Sequence, residues 1–414
     1  MIPRERAEHL DRSDPLAAFR DRFVIDDPDT IYMDGNSLGR LPVATREWVG
    51  ALVDQWGSRL VRAWGDWIDL PEQIGDELAK AALGARPGEV IVSDSTTVNL
   101  FKLASAALDA APAARAIVTD ANDFPTDRYV LEGLARQRRL ELRLMETDPL
   151  EGPQPDEVVS ACAGGDVGLV CLSHVGYRSG ALVDAETITR AAGARVMWDL
   201  SHSVGVVPIE LSEWGVELAV GCTYKYLNAG PGAPAFLYVR RELQEQLRSP
   251  IQGWFGQREQ FAMERPYDPE PGIRRFLAGT PPILELTAVR TGVELVAAAG
   301  IESLREKAVA LTELIVELHD ERLAPLGFEL ACPRTPARRG AHVSLSHEEA
   351  WPISRAMTER ARVVPDFRDP DSIRLGVPPL YTRFVDVWDA LDRIRALVER
   401  GEQREVDPAR TRVT

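Results

Sequence analysis

The chain of 414 residues suits one large α/β domain with a smaller partner and leaves room for a sizeable core. Forty-eight basic residues against 64 acidic ones give a formal charge of −16, which repels a phosphate backbone and excludes nucleic acid as a partner. The charged N-terminus has no apolar run of the kind a secretion signal needs, and no later run reaches the roughly 18 residues of a membrane span. A soluble cytoplasmic protein without a membrane partner is expected.

Short β-rich runs alternate with longer helical ones, without a repeat or a low-complexity tract. In chain order the sequence predicts strands at 89–92, 116–119, 140–145, 167–172, 196–198 and 218–221, with helices such as 98–108 and 128–138 between them. A seventh run, 235–239, follows so closely that it is expected to return antiparallel. Helical crossovers between strands imply an α/β fold, with a mostly parallel seven-stranded sheet covered by helices on both faces. After the Pro-rich stretch 265–282 a long helix is predicted over 284–299, with further helix and strand material to the C-terminus. The expected division is an N-terminal segment, 1–50, packing on a small α+β domain at 291–414, and a large domain at 51–290. Cys162, Cys171, Cys222 and Cys332 show neither CxxC pairing nor zinc-ligand spacing with the six histidines. They are expected to be reduced, buried hydrophobes, and no metal is expected.

Ligands of an open α/β sheet bind beyond the carboxyl ends of its strands. Nearly every predicted strand here ends in a reactive or anion-binding residue. The first runs into Ser93-Asp94-Ser95-Thr96-Thr97 and a helix, where hydroxyls and free N–H groups suit a phosphate, although taken alone this is an ordinary N-cap. No GxxxxGK[ST] or GxGxxG pattern is present. The strand ending at Trp198 leads into Asp199, a carboxylate that could face a protonated ring nitrogen with about 4 kcal/mol of attraction at 4 Å. His202, three residues on, is given a supporting role.

Lys225 lies 26 residues beyond Asp199 in an aromatic, Gly-rich turn, Thr223-Tyr224-Lys225-Tyr226-Leu227-Asn228. Desolvation there would favour the nucleophilic free amine. An isolated lysine is usually a solvated surface group. An amine, a carboxylate and an anion cradle at neighbouring strand ends together suit pyridoxal 5′-phosphate, held covalently on Lys225.

The stretches Ile31-Tyr32-Met33-Asp34-Gly35-Asn36-Ser37-Leu38-Gly39, Asn122-Asp123-Phe124-Pro125-Thr126-Asp127, 221–239, Gly253-Trp254-Phe255-Gly256, Ala278-Gly279-Thr280-Pro281-Pro282-Ile283 and Ile373-Arg374-Leu375-Gly376 span most of the chain. In these the sequence resembles the kynureninases, within the fold type I pyridoxal phosphate enzymes. Ala229 stands where those proteins usually have glycine, and Gly176 where bacterial members often have asparagine.

The resemblance implies hydrolytic cleavage of L-kynurenine to anthranilate and L-alanine by a homodimer with shared active sites. It implies Lys225, Asp199 and Tyr224 as catalytic residues. It also implies cofactor contacts from Thr96, Thr97, Phe124, Pro125, Thr126, Asp127, Ser173, His202, Trp254 and Thr280. Arg374 would clamp the substrate α-carboxylate, with Asn36 and Trp64 as further substrate contacts. Trp64 and Thr280 stand where members preferring 3-hydroxykynurenine have histidine and asparagine, so unsubstituted kynurenine is the expected substrate. Trp64 could equally be a packed aromatic near Trp56 and Trp67. Two other readings stay open: a cysteine desulfurase, with Cys332 as the least excluded nucleophile, and a pyridoxal phosphate-binding protein without turnover.

Overall fold

All seven predicted strands pair into one sheet in the computed structural model, which describes residues 2–263, 266–407 and 409. The order across the sheet is Val90–Val92, Phe236–Val239, Leu218–Gly221, Val196–Asp199, Val167–Ser173, Ala116–Asp120 and Glu141–Met145. Only Phe236–Val239 runs antiparallel to its neighbours. It is reached through a Gly/Pro-rich loop that holds no helix, so the chain has no crossover with which to return parallel. Its neighbours are near-continuous apolar runs because both faces are covered.

Several boundaries differ from the periodicity. Strands 116–120, 167–173 and 196–199 extend one residue further than predicted, because the parallel register continues through Ser173 opposite Asp199 and Asp199 opposite Val220. Helices predicted from residues 98 and 128 begin earlier, as Thr96–Asp109 and Pro125–Arg138. Their first turns are polar and carry no apolar period. They form because Ser95 caps the first, accepting from the Val98 amide at 3.3 Å, and Pro125 opens the second.

Helix Ile283–Ala299 spans residue 290 and buries Leu286, Val289, Val293 and Val296 in the core beneath the large sheet. A second core, from Leu311 onward, lies against a four-stranded antiparallel sheet of Asp366–Arg368, Ser372–Gly376, His342–Ser346 and Glu329–Leu330. Ala7, Ile31 and Met33 belong to that second core, while Leu16 and Phe23 belong to the first. Ile31–Tyr32 also pairs in parallel with Val363–Val364. No local pattern announces that two-residue pairing.

Candidate active site

The parallel register aligns the ends of three adjacent strands, and the loops beyond them open onto one cavity of about 160 Å³. Thr96, Thr97, Phe124, Thr126, Asp127, Ser173, Asp199, His202, Tyr224 and Lys225 all line it. Lys225 Nζ lies 3.2 Å from His202 Nε2, 6.0 Å from the centre of the Phe124 ring and 5.9 Å from that of Tyr224. Burial, then the charge of Lys225, holds the His202 imidazole well below its usual pKa. The ring is therefore neutral and can accept a hydrogen bond from the amine. The adjacent Cys222 thiol, then burial, pushes the Tyr224 hydroxyl up, so it keeps its proton at neutral pH.

Asp199 and Asp127 line the cavity with this amine, and a third buried carboxyl, Asp123, lies beside them. Asp199 accepts from the Ser201 amide at 2.8 Å. Asp123 accepts from the Phe124 amide at 2.9 Å and from the Ser173 hydroxyl. Burial pushes the Asp123 carboxyl up to about 7 against those bonds. Burial, then the charges of Asp199 and Asp123, pushes Asp127 well above the usual carboxylate range, and neither Asp127 oxygen meets a donor among the described residues. At the other end of the cavity Ser95, Thr96 and Thr97 open a 14-residue helix. Its first-turn N–H groups have no carbonyl of their own helix and carry the positive end of its dipole.

The lysine turn is held from outside. Gly39 packs so tightly on it that a Cβ there would lie 2.3 Å from the Lys225 carbonyl oxygen, and the Gly39 amide donates to the Tyr224 carbonyl at 2.8 Å. Asn228, Gly230 and Gly232 take positive φ, but Ala229 does not. The alanine there meets no backbone restriction that glycine would relieve.

Arg374, on strand Ser372–Gly376, is buried. Its Nε and Nη2 donate to Asp366, its Nη1 to the Tyr177 carbonyl, and its Nη2 also to Ser37 Oγ at 3.1 Å. Asn36 is fully buried beside the same strand, and its side-chain amide has no partner among the described residues. Pro125 starts the helix beyond Phe124 without lining the cavity.

Trp254 is 41 % exposed and Thr280 is also exposed; neither lines the Lys225 cavity. Trp64 packs against Trp67 and Phe255 at centroid distances of 5.8 and 6.2 Å. It lines a separate apolar groove of about 580 Å³ with Trp56, Leu60, Val61 and Leu284. Ser201, Asp123, Ser37 and Asp366 join the site without a role having been assigned to them from the sequence. Asp123 lies inside the Asn122–Asp127 motif, which gave it no role of its own. Asp366 has no local signature.

The Kynureninase C-terminal domain family matches residues 304–394. Kynureninase from Pseudomonas fluorescens is 42% identical over 412 residues, covering 97% of this chain and 96% of that protein. This chain belongs to the kynureninase family. A Burkholderia pseudomallei kynureninase is 41% identical over 414 residues, covering 96% of each chain. Among solved structures, a cysteine desulfurase from Thermococcus onnurineus superposes with a TM-score of 0.78 at 18% identity, covering 95% of this chain and 98% of that one. One from Escherichia coli gives 0.78 at 15%, covering 93% and 98%. These likenesses show the fold, that of the fold type I pyridoxal phosphate enzymes.

Pyridoxal phosphate is accordingly the cofactor of this kynureninase-family chain, and the cavity suits it at both ends. Asp199, with the Asp127 carboxyl beside it and no donor to Asp127 among the described residues, leaves buried acceptor oxygens that a protonated ring nitrogen would meet. The helix start at Ser95–Thr97 offers the N–H groups and hydroxyls that a phosphate dianion takes. Lys225, between aromatic rings and a neutral imidazole, would supply the amine.

Proposed function

We propose that this chain hydrolyses the Cβ–Cγ bond of L-kynurenine, giving anthranilate and L-alanine. The observation that carries this reading is Lys225 held against a neutral His202 and facing the Asp199–Asp127 carboxylates. That arrangement sits in a chain 42% and 41% identical to two named kynureninases over 97% and 96% of its length.

Bound pyridoxal phosphate supplies an electron sink for negative charge at the substrate α-carbon. The chain's residues do the rest. Asp199 keeps the ring nitrogen protonated, and Thr96, Thr97 and Ser95 hold the phosphate. Lys225 binds the cofactor and moves the α-proton as base and then acid. Water adds to the side-chain ketone. As the Cβ–Cγ bond breaks the ketone carbon leaves as the carboxylate of anthranilate, and Tyr224, protonated at neutral pH, donates a proton to the β-carbon. Arg374 clamps the substrate carboxylate. With two of its five N–H groups on Asp366, one on Ser37 and one on Tyr177, a bidentate clamp uses the remaining Nη1 N–H and requires exchanging one of the Ser37 and Tyr177 contacts.

The finer reading is a cytoplasmic homodimer in which Trp254 and Thr280 reach the site from the other copy. The exposure of these two residues, and the apolar groove beside Trp64, support it. A tryptophan at 64 offers one N–H and little room, which favours unsubstituted kynurenine over the 3-hydroxy form. The desulfurase reading is set aside. Cys332 is buried, and burial pushes its thiol up to about 11, leaving no reactive thiolate.

Purified protein given L-kynurenine should produce anthranilate, followed by its fluorescence, and Lys225→Ala should produce none and lose the visible absorbance of the lysine-bound cofactor. Absence of anthranilate from the wild type sinks the proposal. A Trp64→His, Thr280→Asn double variant should shift kcat/KM toward 3-hydroxykynurenine; no shift removes these two residues from specificity.

A further inference from the structure

Beneath the helix start that faces the cavity lies a charged pair that the proposed chemistry does not use. Lys102, on helix Thr96–Asp109, is fully buried. Its ammonium is 2.7 Å from Asp94 Oδ2, 2.7 Å from the Phe276 carbonyl and 3.4 Å from Ser93 Oγ. Three donors meet three acceptors, so the group is saturated.

Asp94 immediately precedes Ser95 and has φ +52°, a left-handed conformation that a non-glycine residue holds only when its surroundings impose it. Its backbone is tied on one side, the Ala235 amide donating to the Asp94 carbonyl at 2.8 Å. Lys102 ties its side chain. The third acceptor, Phe276, closes the short helix Ile273–Phe276, four residues before Thr280. One ammonium therefore joins the strand end, the turn into the Ser95–Thr97 cradle and the segment leading to Thr280.

A buried ion pair seldom adds net stability over apolar residues of the same volume. Its position beside an anion site gives it another use. Asp94 is partly exposed, 28% for its side chain, next to the residues that face the phosphate. An uncompensated carboxylate there would repel a dianion.

We propose that Lys102 is a positioning residue for phosphate recognition: it fixes the turn at Asp94 that presents Ser95, Thr96 and Thr97, and it cancels the Asp94 charge. The proposal rests on the cavity being the pyridoxal phosphate site. Full-length apoprotein, prepared from the holoenzyme, is titrated with pyridoxal phosphate and with pyridoxal, which lacks the phosphate. In Lys102→Met the dissociation constant for pyridoxal phosphate should rise by roughly tenfold, the scale of a lost charge-assisted bond, while that for pyridoxal changes less than about twofold. Equal loss for both ligands, or no loss, overturns the proposal, because a merely structural lysine affects the two alike. Lys102→Gln, which keeps a donor for Phe276, is read by the same ratio and decides the matter where Lys102→Met does not fold. A wild-type apoprotein that holds pyridoxal as tightly as pyridoxal phosphate overturns the cofactor reading itself, a result distinct from equal losses in the variants.

Discussion

Asp199 and Asp34 are both carboxylates near the site, yet they differ in what balances them. Asp199 is buried beside Asp127, with the Ser201 amide on one oxygen. Its proposed role is to hold a ring cation, a pairing of about 4 kcal/mol at 4 Å for an effective dielectric near 20. Asp199→Asn should therefore bind the cofactor but lose roughly 10²- to 10³-fold in kcat, since 1.36 kcal/mol is a factor of ten. Near wild-type turnover would free the ring nitrogen from Asp199. Asp34 feels the charges of Arg374 and Arg368, but burial outweighs them. Burial, then the charge of Asp366, raises its carboxyl to about 7, above an unfolded value near 3.9. Between those values the folded chain binds a proton that the unfolded chain does not. The stabilisation is complete below about pH 4 and is lost as pH rises through 7. Thermal unfolding of apoprotein from pH 5 to 8 should show this decline, with Asp34→Asn flatter by about 2 to 4 kcal/mol. Parallel profiles for the two proteins would remove Asp34 as the cause.

Elements reach the site by close backbone approach as much as by side chains. Helix Ile283–Ala299 lies against the lysine turn at Gly292, where a Cβ would sit 1.6 Å from the Leu227 carbonyl oxygen. Glycine weakens a helix interior by about 1 kcal/mol relative to alanine, so propensity alone favours the substitution. The contact decides otherwise, because the obstacle is backbone and cannot rotate away. Gly292→Ala should destabilise the protein by about 1 to 3 kcal/mol, an overpacking cost, and loosen the lysine turn. Unfolding temperature and cofactor retention on dialysis measure both effects, and an unchanged or raised unfolding temperature would show that the helix can shift.

At the scale of the whole molecule, the chain leaves Trp56, Leu60, Val61, Trp254 and Phe261 exposed, most of them around the groove beside Trp64 or near Trp254. Scattered apolar residues need no explanation, but a contiguous set marks a contact surface. The proposed homodimer covers it and completes each site with Trp254 and Thr280 of the second copy. Light scattering of the active enzyme should give twice the 45.7 kDa chain mass. Shared sites also predict complementation: inactive Lys225→Ala and Trp254→Ala chains, unfolded and refolded together, should regain part of the activity through mixed dimers. A monomeric mass at full activity, or no regain in mixed dimers shown to form, overturns the arrangement.

Periodicity determined much of the fold, because a strand buried on both faces must be apolar along its length and the crossovers between such strands are helical. It also carried the site's axis: Thr96, Asp199 and Lys225 all fall where apolar runs end in polar residues, and the sheet register then brings those ends together. Local cap chemistry, rather than apolar spacing, set the true starts of the helices at Thr96 and Pro125. What remained for the tertiary structure were relations between residues far apart in the chain. Ile31 pairs with Val363, Arg374 reaches Ser37, and Lys102 reaches Phe276. Each depends on how domains and loops pack, and a sequence pattern of period 2 or 3.6 carries no information about partners hundreds of residues away. The protonation of His202, Asp127 and Asp34 was equally out of reach, since burial and neighbouring charge set it and both exist only once the chain has folded.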